Sequence, residues 1–254
     1  LQYEITGLTP TTQYLVQVAA HNTANYWGDY GLSNTATTPV DTTKPTPTIT
    51  STQSSPTNAS PINFQVTFDE DVTGFDATDI TLTGGTIVSG SFSGSGSNYS
   101  FNVTPTSDGT ITVNIAAGAA KDTATNNSNA ATQFSITSDR TAPAPTITTT
   151  SPTKSNTLAG TATDANTVTL VEVSTNNGST FTTATGTTSW SLDISALNDG
   201  TYNVKIRTTD NAGNTATSTA STLQIDRSAP TPTITSRSEE HTSELQSLRH
   251  LVCR

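Results

Sequence analysis

Three copies of one phrase determine how this chain can be divided. They are Asp41-Thr-Thr-Lys-Pro45-Thr-Pro47-Thr-Ile49-Thr, Asp139-Arg-Thr-Ala-Pro143-Ala-Pro145-Thr-Ile147-Thr and Asp226-Arg-Ser-Ala-Pro230-Thr-Pro232-Thr-Ile234-Thr, starting 98 and 87 residues apart. Alternate prolines fix φ, extend the backbone and remove N–H donors, so each phrase predicts a stiff linker running into an edge strand. The intervals between phrases are the length of one compact domain each. An acid precedes the linker at the same place all three times.

Within the intervals the apolar residues are few but regularly phased. Ile62, Phe64, Val66 and Phe68 alternate, as do Tyr99, Phe101 and Val103, and Ile111, Val113 and Ile115. In the next interval the rows are Trp190, Leu192 and Ile194, and Tyr202, Val204 and Ile206. Period-two alternation predicts half-buried strands, and the turns Thr83-Gly84-Gly85, Ser107-Asp108-Gly109 and Asn198-Asp199-Gly200 separate them. Only 31% of the 254 residues are apolar. Thr and Ser make up roughly a third, and Thr suits the solvated side of a strand because it is both β-branched and polar. This phasing argues for sandwiches rather than a disordered stalk.

Both ends depart from the pattern. The chain has no Met, and Leu1 begins inside a strand-like alternation, so it reads as an internal piece of a longer protein without a readable signal peptide. After Ser236 the composition changes abruptly. Arg237-Ser-Glu-Glu-His-Thr-Ser-Glu-Leu-Gln-Ser247 resembles the conceptual translation of a sequencing adapter, so residues 237–254 are expected to be a non-native tail. That tail holds the one Cys (Cys253) and two of the three His (His241 and His250), leaving His21. A Cys nucleophile, a disulfide framework and a His-rich metal site are thereby excluded. The net charge of −10 disfavours nucleic acid, and no apolar run is long enough to span a bilayer as a helix.

Leu8-Thr9-Pro10-Thr11-Thr12-Gln13-Tyr14 resembles the L-x-P-x-T-x-Y corner of fibronectin type III domains. The resemblance implies that residues 1–40 are the C-terminal half of such a domain, with the Tyr14 hydroxyl tied back to the chain. Tyr14, Val16 and Val18 then lie on one strand and Leu32 to Thr38 on the next. Phe68-Asp-Glu-Asp-Val-Thr-Gly-Phe75-Asp-Ala-Thr-Asp-Ile80, Gly200-Thr-Tyr202 and Thr209-Asp210-Asn211-Ala212-Gly213-Asn214 resemble the bacterial Ig-like repeats of large surface adhesins. This resemblance covers nearly all of residues 41–235. It implies an all-β linear array of tandem Ig-like and fibronectin type III-like β-sandwiches: Ig-like domains at 41–138 and 139–225, then a linker at 226–236 into a further domain.

A sandwich entered by its first strand and left by its last puts its B–C and F–G loops at the upstream pole, beside the preceding linker. That pole gathers Asp41, Asp69, Asp71 and Asp122, with Asn126, in the first Ig-like interval. In the second it gathers Asp139, Asp164, Asp210 and Asn214. Converging carboxylates repel unless a cation sits among them, and Ca²⁺ accepts six to eight such oxygens. Zn²⁺ is disfavoured without Cys or more than one His. Against this stands the ordinary taste of Asp and Asn for turns and strand ends, and of Gly213 for positive φ.

Other candidates are weaker. Asp69 and Asp71 sit side by side with no cleft implied for glycoside hydrolysis. His21 lacks a Ser or Asp partner setting. Gly90, Gly94 and Gly96 lie among serines without the Lys or helix of a phosphate loop. Asn25-Tyr26-Trp27-Gly28-Asp29-Tyr30 places aromatics in a loop, either to stack on sugars or to cover the absent half of the first sandwich. The expectation is therefore a non-catalytic stalk or spacer of an exported cell-surface adhesin. Its partners are the neighbouring Ig-like domains of the same chain, with a host-surface or glycan ligand reached through other regions. The alternatives are an accessory region of a secreted polysaccharide-degrading enzyme, or a direct binding module using Trp27.

Overall fold

In the computed structural model, residues 5–9, 12–24, 26–31 and 34–233 are described. Pro10 and Thr11 of the corner phrase, Asn25, Leu32, and the adapter-like segment with His241, His250 and Cys253 lie outside them. Residues 13–37 form β1 (Gln13–Val16), β2 (Ala19–His21), β3 (Trp27–Tyr30) and β4 (Asn34–Thr37). Strand β1 pairs with β4 and β2 with β3, both antiparallel, giving one long hairpin. The Tyr14 hydroxyl accepts a hydrogen bond from the Thr9 N–H at 2.9 Å, the tie the corner phrase predicts. Leu15, Val18, Tyr26 and Trp27 all stay exposed on this hairpin.

The next domain contains β5 (Pro47–Ser51), β6 (Ile62–Val72), β7 (Ile80–Thr83), β8 (Gly85–Ile87), β9 (Ser93–Pro105), β10 (Gly109–Ile115) and β11 (Phe134–Ser138). They form two sheets, ordered β5-β6-β9-β8 and β11-β10-β7. Inner faces interleave as the alternation predicts: Ile62, Phe64, Val66, Phe68, Phe101, Val103, Ile111, Val113 and Ile115 are all buried. Phe68, Phe75 and Tyr99 close the upstream end of this core as edge-on aromatic pairs 5.0–6.1 Å apart.

The following domain contains β12 (Ala144–Ile147), β13 (Thr157–Thr163), β14 (Val168–Ser174), β15 (Thr182–Thr183), β16 (Ser189–Asp193), β17 (Gly200–Asp210), β18 (Thr215–Thr217) and β19 (Ser221–Ile225). Sheets run β12-β13-β16 and β15-β14-β17-β18, with β19 completing the edge of β17. Its core centres on Leu158, Trp190, Val204, Ile206, Leu223 and Ile225. It shares no residue with the core before it. The prolines lie where the linkers were read: Pro47 opens β5 and Pro145 lies in β12, each on an edge strand that needs no second ladder.

Gly160 in β13 is buried under the Trp190 indole, and a Cβ there would press on both that ring and the Thr146 carbonyl. Overpacking of this kind costs about 1–3 kcal/mol. Because the two cores are separate, Gly160→Ala should lower one calorimetric transition, that of residues 139–225, and leave the transition of residues 41–138 in place. A joint shift of both would contradict independent cores.

Candidate cation site at the domain junctions

Strand β6 reaches the upstream pole and continues beyond Phe68 to Val72. The next residue, Thr73, pairs with Lys121 through two backbone hydrogen bonds of 2.7 and 3.0 Å. This bridge sets Asp122 against the end of β6. Carboxylate oxygens of Asp41, Glu70 and Asp122 lie within 4.8 Å of one another there. In the next domain Asp139, Asp164 and Asp210 form the corresponding group, again within 4.8 Å. Asp164 follows β13, and Asp210 is the last residue of β17, tied to the loop between β13 and β14 by the Asn211 N–H bonding the Thr167 carbonyl at 2.9 Å.

The F–G turns, between β10 and β11 in the first domain and between β17 and β18 in the second, are built alike. The Asp122 carboxylate accepts the backbone N–H and side-chain amide of Asn126, both at 2.8 Å, and Asp210 accepts the same two groups of Asn214 at 2.8 Å. Each Asn then donates its amide onward to the linker, to the Asp41 carbonyl at 3.0 Å and to the Asp139 carbonyl at 2.8 Å. The residue before each Asn has positive φ: Gly213 at +89° and Thr125 at +72°. For a β-branched residue that conformation costs about 1–2 kcal/mol, so the turn in the first domain is held against its own backbone preference.

Of the residues expected at these poles, Asp41, Asp122, Asp139, Asp164 and Asp210 are brought together. Asn214 orients two of them. Asp69 and Asp71 do not join, because they lie within a strand rather than after one. Side chains alternate along β6, so the inward parity that buries Phe68 and Val72 selects Glu70 and turns its two neighbours outward. Asp69 instead accepts the Thr46 N–H of the linker at 2.7 Å. Asp71 sits against Gly96, where a Cβ would come within 2.8 Å of its Oδ1. Glu70 and Asn166 were missed by sequence reasoning. Glu70 was legible by carrying the alternation two residues further. Asn166, whose amide donates to Asp139 Oδ2 at 2.8 Å, follows an Asx turn on Asp164 that the sequence marks only as a polar loop.

Electrostatics distinguish Glu70 from its neighbours. Burial pushes its carboxyl above the usual range, and the charges of Asp122, Asp41 and Asp69 push the same way. Its Oε1 is shut off from solvent without a hydrogen-bond partner. For Asp122 burial also raises the pKa, but the hydrogen bonds from Asn126, Ala124 and Thr125 outweigh it and leave the group below its ordinary value. An all-oxygen donor set of three carboxylates with an orphaned oxygen fits a hard divalent cation such as Ca²⁺.

Residues 41–138 and 146–227 match two different family models, each described as a bacterial Ig-like domain. The chain carries two bacterial Ig-like domains in tandem. No curated protein matches it. Solved structures similar to it include fibronectin(III)-like modules of Clostridium thermocellum CbhA, at 12% identity and TM-score 0.34 over 70% of this chain and 92% of that one. Another is the Escherichia coli adhesin FdeC, at 13% identity and TM-score 0.39 over 87% of each chain. A third is the Bacteroides ovatus protein SGBP-B in complex with a mixed-linkage heptasaccharide, at 12% identity and TM-score 0.21 over 86% of this chain and 54% of that one.

In the first Ig-like domain, an acid whose pKa is raised on folding binds more protons folded than unfolded, so stability falls as pH rises through that window. With chelator present, that domain should therefore melt higher near about pH 5 than at about pH 7, above the range where the lowered aspartates protonate. Glu70→Gln should raise the metal-free melting temperature at neutral pH and flatten this dependence. An unchanged profile in the variant would show that Glu70 is not under charge repulsion.

Proposed function

We propose that this chain is a non-catalytic spacer of a secreted or cell-surface bacterial adhesin, stiffened by Ca²⁺ shared between each linker and the domain that follows it. The observation carrying this reading is that the linker aspartate belongs to the next domain's carboxylate group at both junctions. Asp41 and Asp139 contribute a side-chain oxygen to that group, and each gives its carbonyl to the Asn of the same domain's F–G turn. A cation at that point ties the linker to the domain. It removes bending freedom that a Thr- and Pro-rich connector otherwise keeps.

Asp41, Glu70 and Asp122 would hold one ion, and Asp139, Asp164 and Asp210 the other. Asn126 and Asn214 orient the ligands, since their amide protons occupy part of the carboxylate lone-pair capacity and fix the rest. The partners are the neighbouring Ig-like domains of the same chain, with the ligand contacted elsewhere. No helix among the described residues is long and apolar enough to cross a membrane.

Binding to the folded state alone raises stability by mass action, about 2.7 kcal/mol at a hundredfold excess over Kd. Addition of Ca²⁺ to the chelated chain should therefore raise both Ig-like melting transitions. It should also narrow the distribution of end-to-end lengths in X-ray scattering. Unchanged melting and unchanged length between Ca²⁺ and EGTA would refute the cation reading.

A further inference from the structure

The downstream poles carry a second repeated device, made of different residues. In the first Ig-like domain, the turn before β10 presents Asp108, whose carboxylate accepts the Thr141 hydroxyl at 2.5 Å and the Arg140 N–H at 3.0 Å. In the second, the turn before β17 presents Asp199, which accepts the Ser228 hydroxyl at 2.7 Å. Both turns read Asp-Gly, and both hydroxyl residues lie two positions after the linker acid. The linker acid itself is held in the same way twice. The Asp139 N–H bonds the Thr57 carbonyl at 2.9 Å, and the Asp226 N–H bonds the Thr153 carbonyl at 3.0 Å. One carboxylate oxygen of each closes an Asx turn, onto the Thr141 N–H and the Ser228 N–H, both at 3.2 Å.

Asp139 is thus bonded to the domain behind it through its N–H and to the domain ahead through its carbonyl and its carboxylate. The Asx turn of Asp139 restrains the bonds within the linker but leaves the linker free to swing on the domain behind it. The Asp108–Thr141 contact removes that freedom on the upstream side, using a charge-assisted hydrogen bond that needs no ion. Asp199 makes the equivalent contact to Ser228 behind Asp226, and the first five residues of the two linkers differ only at this position, Thr141 against Ser228.

We infer that Asp108 and Asp199 are positioning residues. Each clamps the outgoing linker on its own domain through a hydroxyl at linker position three, and at the described junction the Asp108 clamp so aims Asp139 at the upstream pole of the domain ahead. The clamp sets the angle between successive domains before any cation binds. Its contribution to cation affinity rests on the reading given under Proposed function, whereas its contribution to orientation does not.

The test uses the full chain, with Thr141→Val to remove the hydroxyl, Asp108→Ala to remove the acceptor, and Thr141→Ser to restore what Ser228 supplies naturally. Residual dipolar couplings in EGTA report the relative orientation of residues 41–138 and 139–225. The Val and Ala variants should show a broadened interdomain orientation with unchanged couplings inside each domain, and Thr141→Ser should match the parent. In Ca²⁺ titration the Val variant should bind about tenfold more weakly at Asp139, Asp164 and Asp210, with the Asp41, Glu70 and Asp122 site unaffected. An interdomain orientation in EGTA identical to the parent in both the Val and Ala variants would overturn the inference. Absence of Ca²⁺ binding in the parent would refute the cation reading alone, and the orientation measurement would still decide the clamp.

Discussion

The architecture of the junction depends on one residue serving two domains. Asp139 gives its N–H to the Thr57 carbonyl behind it, while its carbonyl and carboxylate receive amide protons from Asn214 and Asn166 ahead. It is almost completely buried, at 1% exposure. A buried carboxylate between two folded domains is costly unless every oxygen is engaged, and here the Asn166 amide takes Oδ2 and the Thr141 N–H takes Oδ1 at 3.2 Å. What they leave is negative charge, concentrated with Asp164 and Asp210 in one small volume. Local hydrogen bonding can orient that charge but cannot neutralise it.

Separate cores make this arrangement meaningful. Each Ig-like domain buries its own apolar rows, so the connection between them joins no core to the other and bears on orientation. A tandem of self-sufficient sandwiches has no fixed shape unless its linkers are constrained. Here the constraint is polar and two-sided, with Asp108 and Thr141 on the upstream side and the carboxylate group with Asn214 on the downstream side. The upstream half has its counter-charge, with Arg140 Nε 3.6 Å from Asp108 Oδ1 beside the hydroxyl and amide hydrogen bonds. The downstream half gathers three carboxylates, as does the group at Asp41, where Glu70 Oε1 has no partner.

Much of this was legible from residue order alone. The recurring Asp-to-Thr phrase located the linkers, and alternation of Phe64, Val66 and Phe68 located the buried faces. The matching of Asp122 with Asn126 and of Asp210 with Asn214 followed from reading two domains against each other. Failure came where strand length mattered. Ending β6 at Phe68 turned Asp69 and Asp71 into loop ligands, whereas the strand continues and parity gives the place to Glu70. The clamp at Asp108 was not legible, because Ser107-Asp108-Gly109 serves equally well as an ordinary turn. Its bond to Thr141 depends on how the two ends of β10 and β11 meet, which no local pattern encodes.

Long-wavelength anomalous diffraction from crystals of the chain grown with Ca²⁺ would locate any ion held between linker and domain. Two calcium peaks are expected, one within coordination distance of Asp41, Glu70 and Asp122 and one of Asp139, Asp164 and Asp210, at about 2.3–2.6 Å from their oxygens. Density at both poles occupied only by water, with no anomalous signal at either group of carboxylates, would contradict a cation shared between linker and domain.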